Sequence, residues 1–305
     1  MDASAIARHF SLGAAVRLSD GPVARGKQGV VWRLDTTEGR WAIKVPFLPA
    51  EDGGTADFQE AACAAGVPAP RVRRTGDGHV FAAVDGVPVR VYEWVDLGAP
   101  DPNLDPELVG AALAALHGVH VDTAGPVHPW YTEPVGAPRW DELIAALHRE
   151  GAPFADRLAA LRDELVALES WIEPPTNLQI CHRDLWADNV LPTADGGLCV
   201  IDWENSGAAD PAQELACALF EFARHDRGRA RALTAAYRSA GGPATLSRHG
   251  DFSMLIAQLG HITEAAASDW LSPGPRSPDR AAATAWISEV LDDPHSRDQL
   301  SLLFE

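Results

Sequence analysis

Over its first 95 residues the chain is built from short apolar runs broken by tight turns, and beyond Gly98 it changes to apolar residues spaced three and four apart. That switch limits the fold to a sheet followed by a helical body. Val30 to Leu34 and Trp41 to Val45 read as strands joined by the turn Thr36-Thr37-Glu38-Gly39. His79 to Val84 and Val87 to Trp94 read as a second pair, with Asp85-Gly86 as a tight turn between them. Helices are expected at Ala3 to Phe10, ahead of Ala14 to Leu18, and at Thr55 to Ala65, which Gly66 and Pro68 end. After the linker Pro100-Asp101-Pro102, helices are expected over 105–120, 140–150, 154–171, 211–224, 226–240, 247–268, 279–291 and 295–303. The exception is 178–202, an irregular loop flanked by the apolar runs Leu178 to Cys181 and Leu198 to Ile201. The expected class is α+β in two lobes, a small β-rich one over residues 1–95 and a large helical one over 96–305, with a cleft between them.

The 305 residues, 46% of them hydrophobic, are enough for two packed lobes. No run of about 18 apolar residues is present, so no membrane span is expected. Met1 to Phe10 lacks the apolar stretch of a secretory signal. Cys63, Cys181, Cys199 and Cys217 are scattered without metal-ligand spacing, which suits reduced thiols in a cytoplasmic protein. The net charge of −18 argues against nucleic acid or an anionic membrane as partner and suits a cationic small molecule. Acidity also serves solubility alone. Lysine occurs only at positions 27 and 44, the second inside an apolar strand.

The strongest motif is Cys181-His182-Arg183-Asp184-Leu185-Trp186-Ala187-Asp188-Asn189, followed by Val200-Ile201-Asp202-Trp203-Glu204. A single aspartate is most simply a turn cap. The joint pattern points elsewhere. Phosphoryl transfer needs an acceptor hydroxyl aimed in line and metal ions to neutralise a triphosphate. Asp184 can orient the hydroxyl and accept its proton, while Asn189 and Asp202 offer the oxygen ligands that Mg²⁺ prefers. Asp202 follows Asp184 by 18 positions, room for a hairpin that returns it beside Asn189.

His182-Arg183-Asp184-x-x-x-x-Asn189 with Ile201-Asp202-Trp203-Glu204 resembles the aminoglycoside phosphotransferase and choline kinase family, whose fold is similar to that of protein kinases. The resemblance implies a bilobal kinase-like fold and an enzyme that moves the γ-phosphoryl group of ATP or GTP, with Mg²⁺, onto a small-molecule hydroxyl. His182 would brace the loop. Arg183 stands where the antibiotic kinases often carry glycine, which leaves its role open. Ala24-Arg25-Gly26-Lys27-Gln28-Gly29 resembles the kinase glycine-rich loop, with Ala24 in place of its first glycine; Gly26 and Gly29 would let backbone amides approach phosphate. Trp41-Ala42-Ile43-Lys44-Val45 matches the strand whose lysine binds the α- and β-phosphates. Glu60 would pair with Lys44, with Glu51 the weaker candidate, and the backbone of Glu93 and Val95 would meet the purine base. Asp210 resembles the family's acidic residue after the metal aspartate and would hold the loop in shape.

Gly21 to Lys27 has P-loop spacing, but Gln28 replaces the metal-binding hydroxyl, and a strand follows where that loop requires a helix. In protein kinases a lysine normally stands at the position of Trp186, and Phe-Gly follows the metal aspartate where this chain has Trp203-Glu204. The helix expected after Asp210 leaves no room for an activation segment. A catalytically silent regulator is disfavoured because Asp184, Asn189 and Asp202 are all present. For the acceptor, Asp188, Glu204, Asp210 and Glu264 are candidate partners of ammonium groups, and Trp130, Tyr131 and Trp270 are candidate stacking surfaces. The favoured acceptor is an aminoglycoside or similar antibiotic; the alternative is choline, homoserine or a sugar.

Overall fold

A computed structural model describes residues 1–26, 28–47, 54–121, 126–274 and 277–304. The chain opens with α1 (Ala3–His9), capped by Asp2, whose side chain accepts from the Ser4 and Ala5 amides. Strands β1 (Ala15–Leu18), β2 (Ala24–Arg25), β3 (Gly29–Thr36) and β4 (Gly39–Pro46) follow, then α2 (Thr55–Ala64), β5 (Val72–Arg73), β6 (Phe81–Val84) and β7 (Val87–Glu93). The seven strands form one antiparallel sheet in the order β1-β3-β4-β7-β5, with β2 beside β3 and β6 beside β7. The β6–β7 turn carries positive φ at both Asp85 and Gly86, which is why that pair of residues stands there.

Alternation along the strands sorts the two faces. Trp41 and Ile43 of β4 and Val89 and Val91 of β7 pack with Ile6, Phe10 and Leu34 into a buried core. Lys44 pairs in register with Arg90, and Ala42 with Tyr92, so these four project from the opposite face.

The remaining elements are α3 (Pro106–His117), α4 (Ala137–Glu150), α5 (Ala155–Glu169), β8 (Gln179–Cys181), β9 (Val190–Pro192), β10 (Leu198–Val200), β11 (Gly207–Ala209), α6 (Pro211–Ala223), α7 (Arg227–Ser239), α8 (Ser253–Leu271), α9 (Arg280–Leu291) and α10 (Arg297–Ser301). The expected helices all form, with ends shifted by a few residues. Helix α4 starts earlier than expected because Gly136, at φ 89°, turns the chain and Pro138 suits the first helical turn. Residues 249–252 and 302–304 are 3₁₀ turns flanking α8 and α10. Trp140, Leu143, Phe154, Leu158, Trp270 and Ile287 form the core of the helical part.

The chain divides into two compact units, 1–100 with 189–205, and 101–188 with 206–305. A boundary at residue 95 therefore places one segment in the wrong lobe. The β9–β10 hairpin groups with the N-terminal unit because the Val200 amide bonds to the Pro68 carbonyl and the Gly98 amide to the Pro192 carbonyl, each at 2.8 Å. None of the described helices is long and apolar enough to cross a membrane.

His295, 3% exposed, gives the helical unit a pH limit. Burial, with the Arg224 charge adding to it, lowers its pKa from 6.5 to about 4. The unfolded chain then takes up a proton below about pH 6.5 that the folded chain refuses until about pH 4. The His295 contribution to stability is constant above pH 6.5 and falls by about 3 kcal/mol on acidification to pH 4. Urea unfolding across that window checks this, and His295→Gln should remove that part of the slope.

Candidate active site

In the N-terminal unit, Lys44 reaches a pair of carboxylates. Its Nζ bonds to Asp202 and lies 3.0 Å from Glu204 Oε2. Glu204 Oε1 accepts from the Tyr92 hydroxyl at 2.9 Å and lies 3.7 Å from the Arg90 guanidinium. Burial, against the pull of Lys44, pushes the Asp202 carboxyl above its usual range, and the neighbouring Glu204 charge adds to the rise. Glu204 is also buried, which works against its charge, yet Lys44 and Arg90 hold it below the usual carboxylate range. The hairpin does return Asp202 toward Asn189: the Ile201 amide donates to the Asn189 carbonyl at 2.9 Å. Asp202 itself has φ 65°, a left-handed turn that ends the hairpin strand.

The glycine-rich loop is uneven in its demands. A Cβ at Gly29 would lie 2.5 Å from the Val45 carbonyl oxygen, so the close approach of β3 to β4 requires glycine there. Gly26 faces open space, and its amide bonds to the Gly29 carbonyl at 3.0 Å. The Gln28 side chain donates to Asn205 at 3.2 Å. Lys27 and Glu51 lie outside the described residues. Glu93 ends β7 with its amide bonded to the Arg71 carbonyl, and Val95 follows in the segment leaving the sheet.

Glu60 is not beside Lys44. Both its carboxylate oxygens are taken by Arg74, at 2.8 and 3.0 Å, because Arg74 presents a planar fork that a carboxylate matches. Glu204 is likewise not among the helical unit's acids, since it belongs with Lys44, Arg90 and Tyr92.

In the helical unit, β8 delivers His182, Arg183 and Asp184 onto a buried frame. Glu214 of α6, fully buried, accepts from the His182 amide at 3.3 Å and also from the Arg183 amide. Its Oε2 lies 3.0 Å from His117 Nε2, and His117 Nδ1 lies 2.8 Å from the Tyr237 hydroxyl. Gln258 donates to the Arg183 carbonyl at 2.7 Å, and the Ala187 amide donates to Glu221 at 2.9 Å. The loop is thus fixed at both its start and its middle, with Arg183 held at φ 64°. His182 is fully buried within it.

Arg183, whose role the motif leaves open, lays its guanidinium over the Tyr131 ring at 4.2 Å. A Cβ at Gly207 would come within 2.5 Å of that guanidinium, so glycine there makes room for it. Tyr131 is buried, which raises its hydroxyl to about 12, with the Asp184 charge contributing.

The acceptor candidates separate. Asp188 is exposed, and Trp130 stacks on His261 with ring centres 5.1 Å apart. Asp210 does not face an acceptor. It caps α6 and accepts from Thr176 and from the Thr176 and Asn177 amides at 2.8 to 3.1 Å. Nor does it hold the 182–187 loop, whose His182 and Arg183 amides go to Glu214. Glu264 is bound by Arg139 and Ser268, and Trp270 is core, edge-on to Phe154. Arg90, Tyr92, Glu214, His117 and Gln258 were not anticipated. A signal existed for two of them: Arg90 interrupts an apolar strand as Lys44 does, and Glu214 interrupts an apolar helix.

The model of the phosphotransferase enzyme family matches residues 22–249. The chain belongs to that family. It is accordingly an O-phosphotransferase of the small-molecule kinase type. No curated protein matches this phosphotransferase by sequence. Among solved structures, a spectinomycin phosphotransferase in complex with ADP and spectinomycin is similar at 14% identity and TM-score 0.69, covering 98% of this chain and 95% of that one. An aminoglycoside phosphotransferase from Alicyclobacillus acidocaldarius gives 16% identity and 0.60, over 97% and 93%. A choline/ethanolamine kinase family protein from Mesorhizobium loti gives 20% identity and 0.52, over 96% and 92%. These likenesses show the fold that the phosphotransferase shares, an N-terminal antiparallel sheet with a helical C-terminal part.

Proposed function

We propose that this phosphotransferase transfers the γ-phosphoryl group of ATP or GTP, with Mg²⁺, to a hydroxyl of an amine-bearing, antibiotic-type small molecule. The observation that carries the reading is the buried cluster of Lys44 with Asp202 and Glu204, at the end of a hairpin whose Ile201 amide bonds back to the Asn189 carbonyl. Lys44 binds the α- and β-phosphates, the glycine-rich segment at Gly26 and Gly29 approaches the phosphate chain, and the backbone at Glu93 and Val95 takes the base. The carboxamide of Asn189 and the carboxylate of Asp202 form an oxygen donor set that fits a hard cation and would hold Mg²⁺. Bound there, Mg²⁺ neutralises charge on the triphosphate. Asp184 orients the acceptor hydroxyl and takes its proton, His182 braces the loop from within its buried frame, and the hold of Glu214 on the loop backbone keeps Asp184 in place. Exposed Asp188, the Trp130–His261 stack and the net charge of −18 support a cationic, ring-bearing acceptor. The likeness to a choline/ethanolamine kinase family protein supports the second reading, a smaller metabolic alcohol.

Nucleoside diphosphate release, measured with Mg-ATP and Mg-GTP across aminoglycosides, other antibiotics, choline, homoserine and sugars, tests the proposal. Release stimulated by an amine-bearing antibiotic is the expected result. Stimulation by choline or homoserine alone would select the second reading, and failure to bind either Mg-nucleotide would remove both.

A further inference from the structure

A lysine that serves phosphates must be held in place between turnovers, and Glu60 cannot do that here because Arg74 occupies both its oxygens. Glu204 is placed to do it. Its Oε2 lies 3.0 Å from Lys44 Nζ, while its Oε1 is anchored by the Tyr92 hydroxyl at 2.9 Å and faces Arg90. The anchor is built into the sheet: Lys44 sits opposite Arg90 and Ala42 opposite Tyr92 across β4 and β7, so the two basic side chains and the phenol share one face.

Arg90 is 1% exposed, with its guanidinium over the Phe81 and Tyr92 rings at 5.6 and 5.2 Å. Its Nε and Nη2 have no hydrogen-bond partner among the described residues. A buried guanidinium keeps its charge, so it requires a counter-charge nearby, and Glu204 supplies it. Asp202, the other carboxylate on Lys44, has a second task in the reading above, which Glu204 does not share.

We propose that Glu204, fixed by Arg90 and Tyr92, is the positioning residue for Lys44, taking the place expected of Glu60 on α2. The proposal rests on the kinase reading for its consequence, but its geometry can be tested without nucleotide. The chain has two lysines, at 27 and 44, so amine acylation followed by peptide mass spectrometry reports Lys44 cleanly.

In nucleotide-free protein, Glu204→Gln should raise the rate of Lys44 acylation on the order of tenfold, the gain expected when an amine loses one close carboxylate. Glu60→Gln should leave that rate at the wild-type value. The double variant Arg90→Met with Glu204→Gln should acylate at the rate of Glu204→Gln alone, because Arg90 acts on Lys44 through Glu204. Steady-state kinetics gives the second readout: Glu204→Gln should lower kcat roughly 10- to 100-fold with the acceptor KM unchanged. Acylation that rises in Glu60→Gln and not in Glu204→Gln would overturn the proposal. So would a double variant whose rate departs from that of Glu204→Gln alone. Acylation that follows the expected order in a protein that binds no nucleotide would uphold the positioning and sink the kinase reading instead.

Discussion

Replacing Asp184 by asparagine is expected to lower kcat by about 10²–10⁴, the usual contribution of a positioned general base. Nucleotide affinity should change little, because the groups assigned to phosphate and metal, Lys44, Asn189 and Asp202, belong to the other unit. The backbone bonds of the loop to Glu214, Gln258 and Glu221 stay in place in this variant. A near-isosteric amide removes the proton acceptor. Steady-state kinetics beside a nucleotide titration reads both quantities. A variant that keeps most of its turnover would take the base role away from Asp184.

Glu214→Ala is expected to destabilise the protein by about 3–5 kcal/mol, since it strands three buried hydrogen-bonding groups at about 1–3 kcal/mol each. Glu214 is fully buried, and burial works against its charge, yet His117 and the loop amides hold its pKa below the usual range. Truncation strands the His182 and Arg183 amides and takes the partner from His117 Nε2. Unsatisfied buried groups are costly because nothing replaces the lost bonds. Glu214→Gln keeps an acceptor oxygen and should lose clearly less. Urea unfolding of both variants gives the comparison, and equal midpoints for Glu214→Ala and the wild type would mean that the frame behind the loop is held by other bonds.

What the sequence disclosed follows from how locally each feature is encoded. The 181–189 motif and Lys44 stand out in the sequence because the chemistry proposed for them fixes residue types at short spacing. Pairings between distant positions were not. Glu60 and Arg74 meet because β5 runs beside β7 after α2, and β5 has two residues and no pattern to read. Strands β8 to β11 are three residues each, too short to show a period, so 178–202 looked irregular. Glu204 was placed with the helical lobe by its position in the sequence, whereas β9 and β10 carry it into the other unit. Asp210 and Glu214 stand four residues apart at the start of one helix. Which of them caps the helix and which grips the loop is decided by the turn of the helix against β8, a tertiary fact.

The assignment of residues 189–205 to the N-terminal unit carries a consequence for anyone who cuts or recombines this chain. A fragment ending near Pro100 lacks the hairpin that its Pro68 and Gly98 backbone groups bind, so it would begin life with open hydrogen bonds along one edge. Chimeras that swap nucleotide specificity between relatives should therefore carry two crossovers more than a simple head-for-tail exchange, moving the hairpin together with the sheet. Ribosomal synthesis faces the same constraint, since residues 101–188, with α3 to α5, must emerge before the hairpin that completes the N-terminal unit.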